Sequence, residues 1–407
     1  HVRSRRQRQM CIRDRLAGQP GQEVFEASPS GQRIPLGQNV LTPAQNGVSY
    51  ELTLDTRVQA VSERKLAEQV KKHNADSGVA ITMDVKTGEV IAMANVPTFD
   101  NNRIEDADSD DMFNRSITQA FEPGSVQKIL TMAALTDSGT VAPQTRLVIP
   151  PSIESGGGTV RDVVQHNYAQ ITARGAFAYS SNIGMIMMSR EMPKERMHQY
   201  LSDFGLGRPT GIELPGEAAG SLPPADMEDY TRDQIAFGQG VSVTALQQTA
   251  AIAGILNDGV YNQPTILRSA TDANGQDVPI KRAEPRRVVS EESSEMVASM
   301  MESVVGPGGF ATNVAMEDYR TGGKTGTAEK YDPETGGYNG YTASFVGMAP
   351  AEDPQYVTYV AIDNPRNGHT GTEAAAPVYH DTMRTVLANY GVTPSTTEGP
   401  TEDQLTW

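Results

Sequence analysis

The chain has 407 residues, of which 38% are hydrophobic, enough for a sizeable core and for two or three domains. A formal net charge of -16 would repel a phosphate backbone rather than release counterions from it, which argues against nucleic acid as a partner. No apolar run is long enough to span a membrane, and the single cysteine, Cys11, rules out an intramolecular disulfide, a cysteine metal cage and a redox pair.

Residues 1–15 (HVRSRRQRQMCIRDR) hold six Arg and one Asp, so this stretch carries +5 and the rest of the chain -21. Such a break marks a foreign or artefactual segment rather than a native basic arm, and the native N-terminus is expected to lie beyond this chain. Residues 16–47, rich in Gly, Pro, Gln and Ser and broken at Ile34-Pro35 and Thr42-Pro43, read as a linker or the torn edge of another domain. Val48–Leu54 alternates like a strand, and Asp55–His73 has apolar residues Val58, Val61, Leu66 and Val70 at helical spacing. Val79–Met83 and Val90–Ala94, joined through Asp84-Val85-Lys86-Thr87-Gly88, carry the signature of a β-hairpin.

Asn101–Asn114 is acidic and loop-like, after which Pro123-Gly124 introduces a helix from Ser125 to about Leu135 that is apolar on most faces and must be buried. Helical patterns recur at Ala176–Ser189, Lys194–Phe204, Thr244–Asn257 and Glu291–Val304. Lys324–Lys330, Ala343–Met348 and Tyr356–Asp363 read as strands, and Val378–Tyr390 as a closing helix. Strands at both ends of a helical middle predict an α+β fold with one sheet and a helical insertion. The polar, acidic tail 391–407 is expected to be disordered.

Ser125-Val126-Gln127-Lys128 puts a hydroxyl and an amine on one helix face. The pattern is weak alone, since Ser62 to Lys65 repeats it. Ser62 lies inside a helix whose N–H groups are bonded, however, whereas Ser125 begins one and can offer its own N–H to a developing oxyanion. Lysine deprotonates serine only as the neutral amine. Lowering Lys128 from about 10.4 to near 7 represents roughly 4–5 kcal/mol and requires both burial and a second cation nearby.

Ser180-Ser181-Asn182 interrupts an apolar stretch; taken alone it is most simply a helix cap, but in a site Ser180 can relay a proton and Asn182 can orient Lys128. Gly322-Gly323-Lys324-Thr325-Gly326-Thr327 leads into a strand and offers a cation and hydroxyls to a carboxylate. Lys86-Thr87-Gly88 is a decoy in the hairpin turn. A phosphate loop at Gly323-Lys324-Thr325 fails because Asp318 stands where glycine is needed. The Gly-x-Ser-x-Gly elbow is absent around Ser125, the six histidines show no metal spacing, and no cofactor is expected.

Ser-x-x-Lys, Ser-x-Asn and Lys-Thr-Gly in that order resemble the penicillin-binding protein and serine β-lactamase superfamily. The likeness extends over roughly residues 20 to 390. Asp84 to Ala94, Phe121-Glu122-Pro123-Gly124-Ser125, Gly211 to Glu217, Ala236-Phe237-Gly238-Gln239-Gly240 and Ala375-Ala376-Pro377-Val378 all look like class B penicillin-binding proteins. The Phe-Glu-Pro-Gly-Ser lead-in is most similar to the septal, division-associated branch, and Val126-Gln127 to actinobacterial relatives, although many members have Thr-Phe or Thr-Met there.

The resemblance implies a penicillin-binding transpeptidase fold at 48–390, an antiparallel sheet flanked by helices with an all-helical subdomain, and a remnant of a non-catalytic domain at 16–47. It implies a peptidoglycan D,D-transpeptidase in which Ser125 attacks, Lys128 accepts the proton, and Ser180 and Asn182 support transfer to the leaving D-alanine. Lys324, Thr325, Gly326 and Thr327 would bind the substrate, with the N–H groups of Ser125 and Thr327 forming the oxyanion hole. The implied partners are the D-Ala-D-Ala stem peptide, β-lactams and divisome membrane proteins, with the catalytic domain on the outer face of a membrane to which a missing anchor ties it. A carboxypeptidase or β-lactamase is the alternative, weakened because no Glu-x-x-x-Asn segment lies between Ser180 and Lys324. A non-catalytic scaffold is the third reading.

Overall fold

The structure, a computed structural model, describes residues 15–34, 39–332 and 337–407, so the segment set aside as foreign lies outside the described residues except for Arg15. Two compact units emerge. The first gathers the chain up to Thr53 with Glu213–Gly216 and Thr265–Arg282. In it Gln22–Phe25 pairs antiparallel with Asn39–Thr42, so the stretch read as a linker holds a small ladder, and Ser49–Leu52 pairs with Leu267–Thr271. The strand expected at Val48–Leu54 therefore finds its partner far along the chain, and the unit boundary falls after Thr53 rather than before Val48. The Glu213 carboxylate fixes the returning segment by accepting the Thr265 hydroxyl at 2.9 Å and the Ile266 N–H at 3.1 Å.

The second unit begins with α1 (Thr56–Lys72). The Asp55 carboxylate caps it by accepting the N–H groups of Arg57 and Val58, and Lys71 and Lys72 sit at its negative end. β1 (Ser77–Asp84) and β2 (Val90–Val96) form the expected hairpin. The helical part follows, with α2 (Lys128–Asp137), α3 (Ala173–Ala178), α4 (Asn182–Arg190), α5 (Ala245–Leu256) and α6 (Glu291–Val305) among its helices. It also carries two short antiparallel pairs, Arg146–Ile149 with Ala169–Thr172 and Ile153–Ser155 with Gly158–Val160. β3 (Gly322–Asp332), β4 (Gly337–Ala349) and β5 (Tyr356–Asp363) return to the sheet, and α7 (Ala376–Asn389) closes it.

The five strands run in the order β3-β4-β5-β1-β2, each pair antiparallel, which is the expected α+β architecture. β1 and β5 are central and bury almost every residue, so they read as unbroken apolar runs rather than as alternations. On one face the Phe345 ring of β4 lies 5.0 Å from Tyr379 of α7. Neighbours along a strand point to opposite faces, so Ser344 and Val346 look the other way, toward the helical part. The register pairs Lys324 with Val346 and Gly326 with Ser344, and this aims Lys324 toward the helices.

Two expectations are corrected. The apolar stretch Ala176–Ser189 is not one helix, because α3 and α4 are separated at a turn where Ser180 adopts φ 59°, and Ser181 caps α4 by accepting the Gly184 N–H. The tail 391–407 is not disordered; Leu405 is 1% exposed and its carbonyl accepts the Thr172 N–H at 3.0 Å. Average composition concealed the anchors Leu405 and Trp407, the latter lying under the Arg146 guanidinium.

Candidate active site

Ser125 lies on a 3-10 turn, Gly124–Gln127, that runs directly into α2. The Lys128 N–H donates back to the Ser125 carbonyl, which sets the two residues one turn apart. N–H groups at a helix start have no acceptor within the helix, so that of Ser125 remains available to a ligand. The turn is pressed against β3. Gly124 has φ 54°, and a Cβ there would come within 3.1 Å of the Ala328 Cβ and 3.2 Å of the Thr327 carbonyl oxygen. A Cβ at Gly326 would stand 3.0 Å from Val126 and 2.3 Å from the Ser344 hydroxyl. These two glycines let the half-buried serine lie beside Gly326 and Thr327 of the strand.

Lys128 and Lys324 are both 0% exposed. The Lys128 amine donates to the Ser180 carbonyl at 2.8 Å and the Asn182 amide oxygen at 2.8 Å, and lies 3.2 Å from the Ser180 hydroxyl. The Lys324 amine reaches the same hydroxyl at 2.9 Å and turns back along its own strand to the Thr325 carbonyl at 3.2 Å and hydroxyl at 3.5 Å. Two amines from two elements thus meet at one serine oxygen. A neutral amine has two N–H donors and one lone pair. For Lys128 the carbonyl and the amide oxygen can only accept, so they take the two N–H groups and leave the lone pair for a hydroxyl.

Burial lowers the Lys128 ammonium to about 7, with the Asp162 carboxylate pulling the other way. Burial also drives Lys324 well below the ordinary lysine range, and the neighbouring Lys128 drives it further. Among the described residues neither lysine has a carboxylate at ion-pair distance. Burial by itself thus brings Lys128 to this value, without the second cation that the sequence reading called for; the repulsion between the amines falls on Lys324, so the two do not both hold a proton at neutral pH.

The structure joins Lys128, Ser180, Asn182, Lys324 and Thr325 by direct hydrogen bonds and brings Ser125, Gly326 and Thr327 alongside. Thr325 is 6% exposed, whereas Thr327 faces solvent. One participant escaped the sequence. Asp162 accepts the Ser181 hydroxyl at 2.6 Å and the Ile183 N–H at 3.0 Å, pins the start of α4, and pairs with His166 at 3.0 Å. It sits in an irregular segment with no periodicity to flag it.

The profile described as "Penicillin binding protein transpeptidase domain" matches residues 78–384. Penicillin-binding protein PbpB of Mycolicibacterium smegmatis is 36% identical over 397 residues, covering 95% of this chain and 61% of that protein. Peptidoglycan D,D-transpeptidase FtsI of Escherichia coli K12 is 34% identical over 382 residues, covering 93% and 62%. The chain thus spans about three fifths of the length of the curated relatives it matches. Penicillin binding protein 3 from Mycobacterium tuberculosis, solved in complex with ampicillin, superposes with a TM-score of 0.84 at 33% identity, covering 93% of this chain and 89% of that one. With its two amines converging on one hydroxyl and three quarters of its length matched, the chain belongs to the penicillin-binding protein transpeptidase family, in the class B branch.

Proposed function

We propose that this chain is the catalytic part of a peptidoglycan D,D-transpeptidase working through a serine acyl-enzyme. Ser125 attacks the carbonyl of the penultimate D-alanine while the neutral Lys128 amine takes its proton. The oxyanion is met by the N–H groups of Ser125 and Thr327. Ser180 passes the proton to the nitrogen of the departing D-alanine, the C–N bond breaks, and an ester remains on Ser125. An amine of a second stem then attacks that ester, and its proton leaves by the same route, restoring the Ser125 hydroxyl.

Lys324, Thr325 and Thr327 hold the terminal carboxylate, and Gly326 leaves room for the peptide to approach the strand. β3 is an outer strand, so the stem can pair with it by strand addition. None of these steps calls for a cofactor. The observation that carries the proposal is the meeting of the Lys128 and Lys324 amines at the Ser180 hydroxyl in a site that excludes water from both lysines.

The likeness to FtsI and the Phe121 to Ser125 lead-in support a septal role, with membrane proteins of the division machinery as partners. Residues 16–53 are the remnant of the non-catalytic domain in this scheme. Among the described residues no helix is long and apolar enough to cross a membrane. The proposed place of action is the outer face of a membrane, where the stem peptides are. No observation favours the hydrolase or scaffold readings.

Incubation with a fluorescent penicillin, followed by intact-mass measurement, is expected to give one covalent adduct that persists in the wild type and is absent from Ser125→Ala. Full labelling of that variant would end the assignment. Rapid turnover of the wild-type adduct would favour the hydrolase.

A further inference from the structure

We infer that the C-terminal segment 391–407 is a positioning strap for the active centre, tying the root of the strand that bears Lys324 to the cap of the helix that leads into Ser180. This deepens the acyl-enzyme proposal and rests on it. The segment lies beyond the family match, which ends at residue 384.

At one end the strap grips the approach to β3. The Ser395 N–H donates to the Asp318 carbonyl at 3.0 Å, and the Ser395 hydroxyl accepts the Arg320 N–H at 2.8 Å. The Arg320 guanidinium donates to the Thr397 hydroxyl at 2.6 Å and forks onto both oxygens of Glu302 in α6 at 2.7 Å each. Lys324 follows four residues after Arg320.

At the other end the strap closes on α3. Thr172 caps that helix by accepting the Gly175 N–H at 3.0 Å, and the strap takes both remaining donors of Thr172. Its N–H goes to the Leu405 carbonyl at 3.0 Å and its hydroxyl to the Gln404 carbonyl at 2.7 Å. The fit is close: a Cβ at Gly175 would come within 2.0 Å of the Leu405 oxygen. The Trp407 indole N–H donates to the Leu147 carbonyl at 3.2 Å, with Arg146 5.0 Å above its ring. α3 ends at Ala178, and the next turn presents Ser180.

Between the two ends stands α6, which touches both sides. Arg174 of α3 donates to the Ser299 carbonyl at 2.8 Å and the Ser303 hydroxyl at 2.9 Å, and the backbone at Gly322 packs against that of Glu302. The strap spans the outside of this post and clamps the Lys324 strand and the Ser180 helix to it. What it holds constant is the 2.9 Å and 3.2 Å contacts of the two amines with one hydroxyl, and with them the exclusion of water from Lys128. Small displacements of reacting groups cost activity steeply.

The test uses the full chain, a chain ending at Pro400, and the full-length point variants Leu405→Ala and Trp407→Ala. The rate constant for acylation by a fluorescent penicillin is measured across pH, and thermal unfolding is followed in parallel. Removal of the strap's end is expected to slow acylation about tenfold to hundredfold. It should also move the acid limb of the profile to higher pH, because water returning to Lys128 restores its affinity for a proton. The charges facing that amine, Lys324 from β3 and Asp162 from the 161–168 segment, are untouched by the truncation.

A merely structural tail would lower the unfolding temperature and leave the pH midpoint where it was, and that outcome, or an unchanged rate constant, overturns the inference. Should the truncated chain not fold, the two point variants give the same reading, with a midpoint shift supporting the strap and its absence refuting it. Failure of the intact chain to take any label is a separate result, which ends the acyl-enzyme reading and removes the strap's role with it.

Discussion

The chain holds Ser-x-x-Lys twice, and the two copies live under opposite conditions. In α1 the Ser62 hydroxyl is spent on the Val58 carbonyl of its own helix at 2.9 Å, and Lys65 lies between Glu68 and Asp381 at 3.0 Å each, which raises its pKa. Ahead of α2, Ser125 stands at a chain turn with its N–H unclaimed by the helix, and Lys128, bonded only to neutral acceptors, is sealed from water, a burial that lowers its pKa to about 7. The two Lys-Thr-Gly copies divide in the same way. Lys86 is a turn residue near Asp258 and Asp353, while Lys324 is buried against another lysine. Sequence spacing is equal in each pair, so the chemistry comes from what surrounds the amine: carboxylates and water make it an inert cation, and their removal makes it a base.

The comparison is broken most directly by truncating both lysines. Lys128→Ala is expected to reduce the acylation rate constant by about 10²–10⁴-fold, the range for loss of a general base, whereas Lys65→Ala should leave it unaltered. Equal losses in stopped-flow labelling would show that position in the fold does not separate the copies. A gentler test is pH. Lys128 acts when unprotonated, so the wild-type rate should climb as pH rises through about 7 and then level off. A limb near the ordinary lysine value would mean that burial does not depress this amine.

Asp162→Asn sharpens the same point. The Asp162 charge raises the Lys128 pKa, so its removal should shift the limb to lower pH, while the asparagine oxygen can still accept the Ile183 N–H. A shift in the other direction would reassign the electrostatics. The smallest effect concerns Gln127, whose amide oxygen and nitrogen are both buried and lack partners among the described residues. Gln127→Met should add about 1–2 kcal/mol in urea unfolding by removing unsatisfied polar atoms, with acylation little changed.

The sheet was largely legible because its central strands are apolar and its hairpin carries a turn signal, and the clustering of Lys128, Ser180, Asn182 and Lys324 was legible because the order of their motifs is informative when each fragment alone is not. What stayed hidden depends on partners distant in sequence. The left-handed turn at Ser180 interrupts a stretch that looks helical, and it is held by amines from α2 and β3. Asp162 declares itself only through Ser181 and Ile183. The strand at Ser49–Leu52 needed Leu267–Thr271 to define the unit it belongs to.

The placement of β3 at the margin of the sheet has a cost of its own. One of its sides is satisfied by β4, while the other has no strand beside it among the described residues. An edge open to the strand addition proposed above will equally welcome any extended chain, including the same strand of a second copy. Under the proposed function, covering or blunting that edge would also block the stem peptide. Self-adhesion must then be held off from a distance, and a chain with a net charge of -16 has the long-range repulsion to do so.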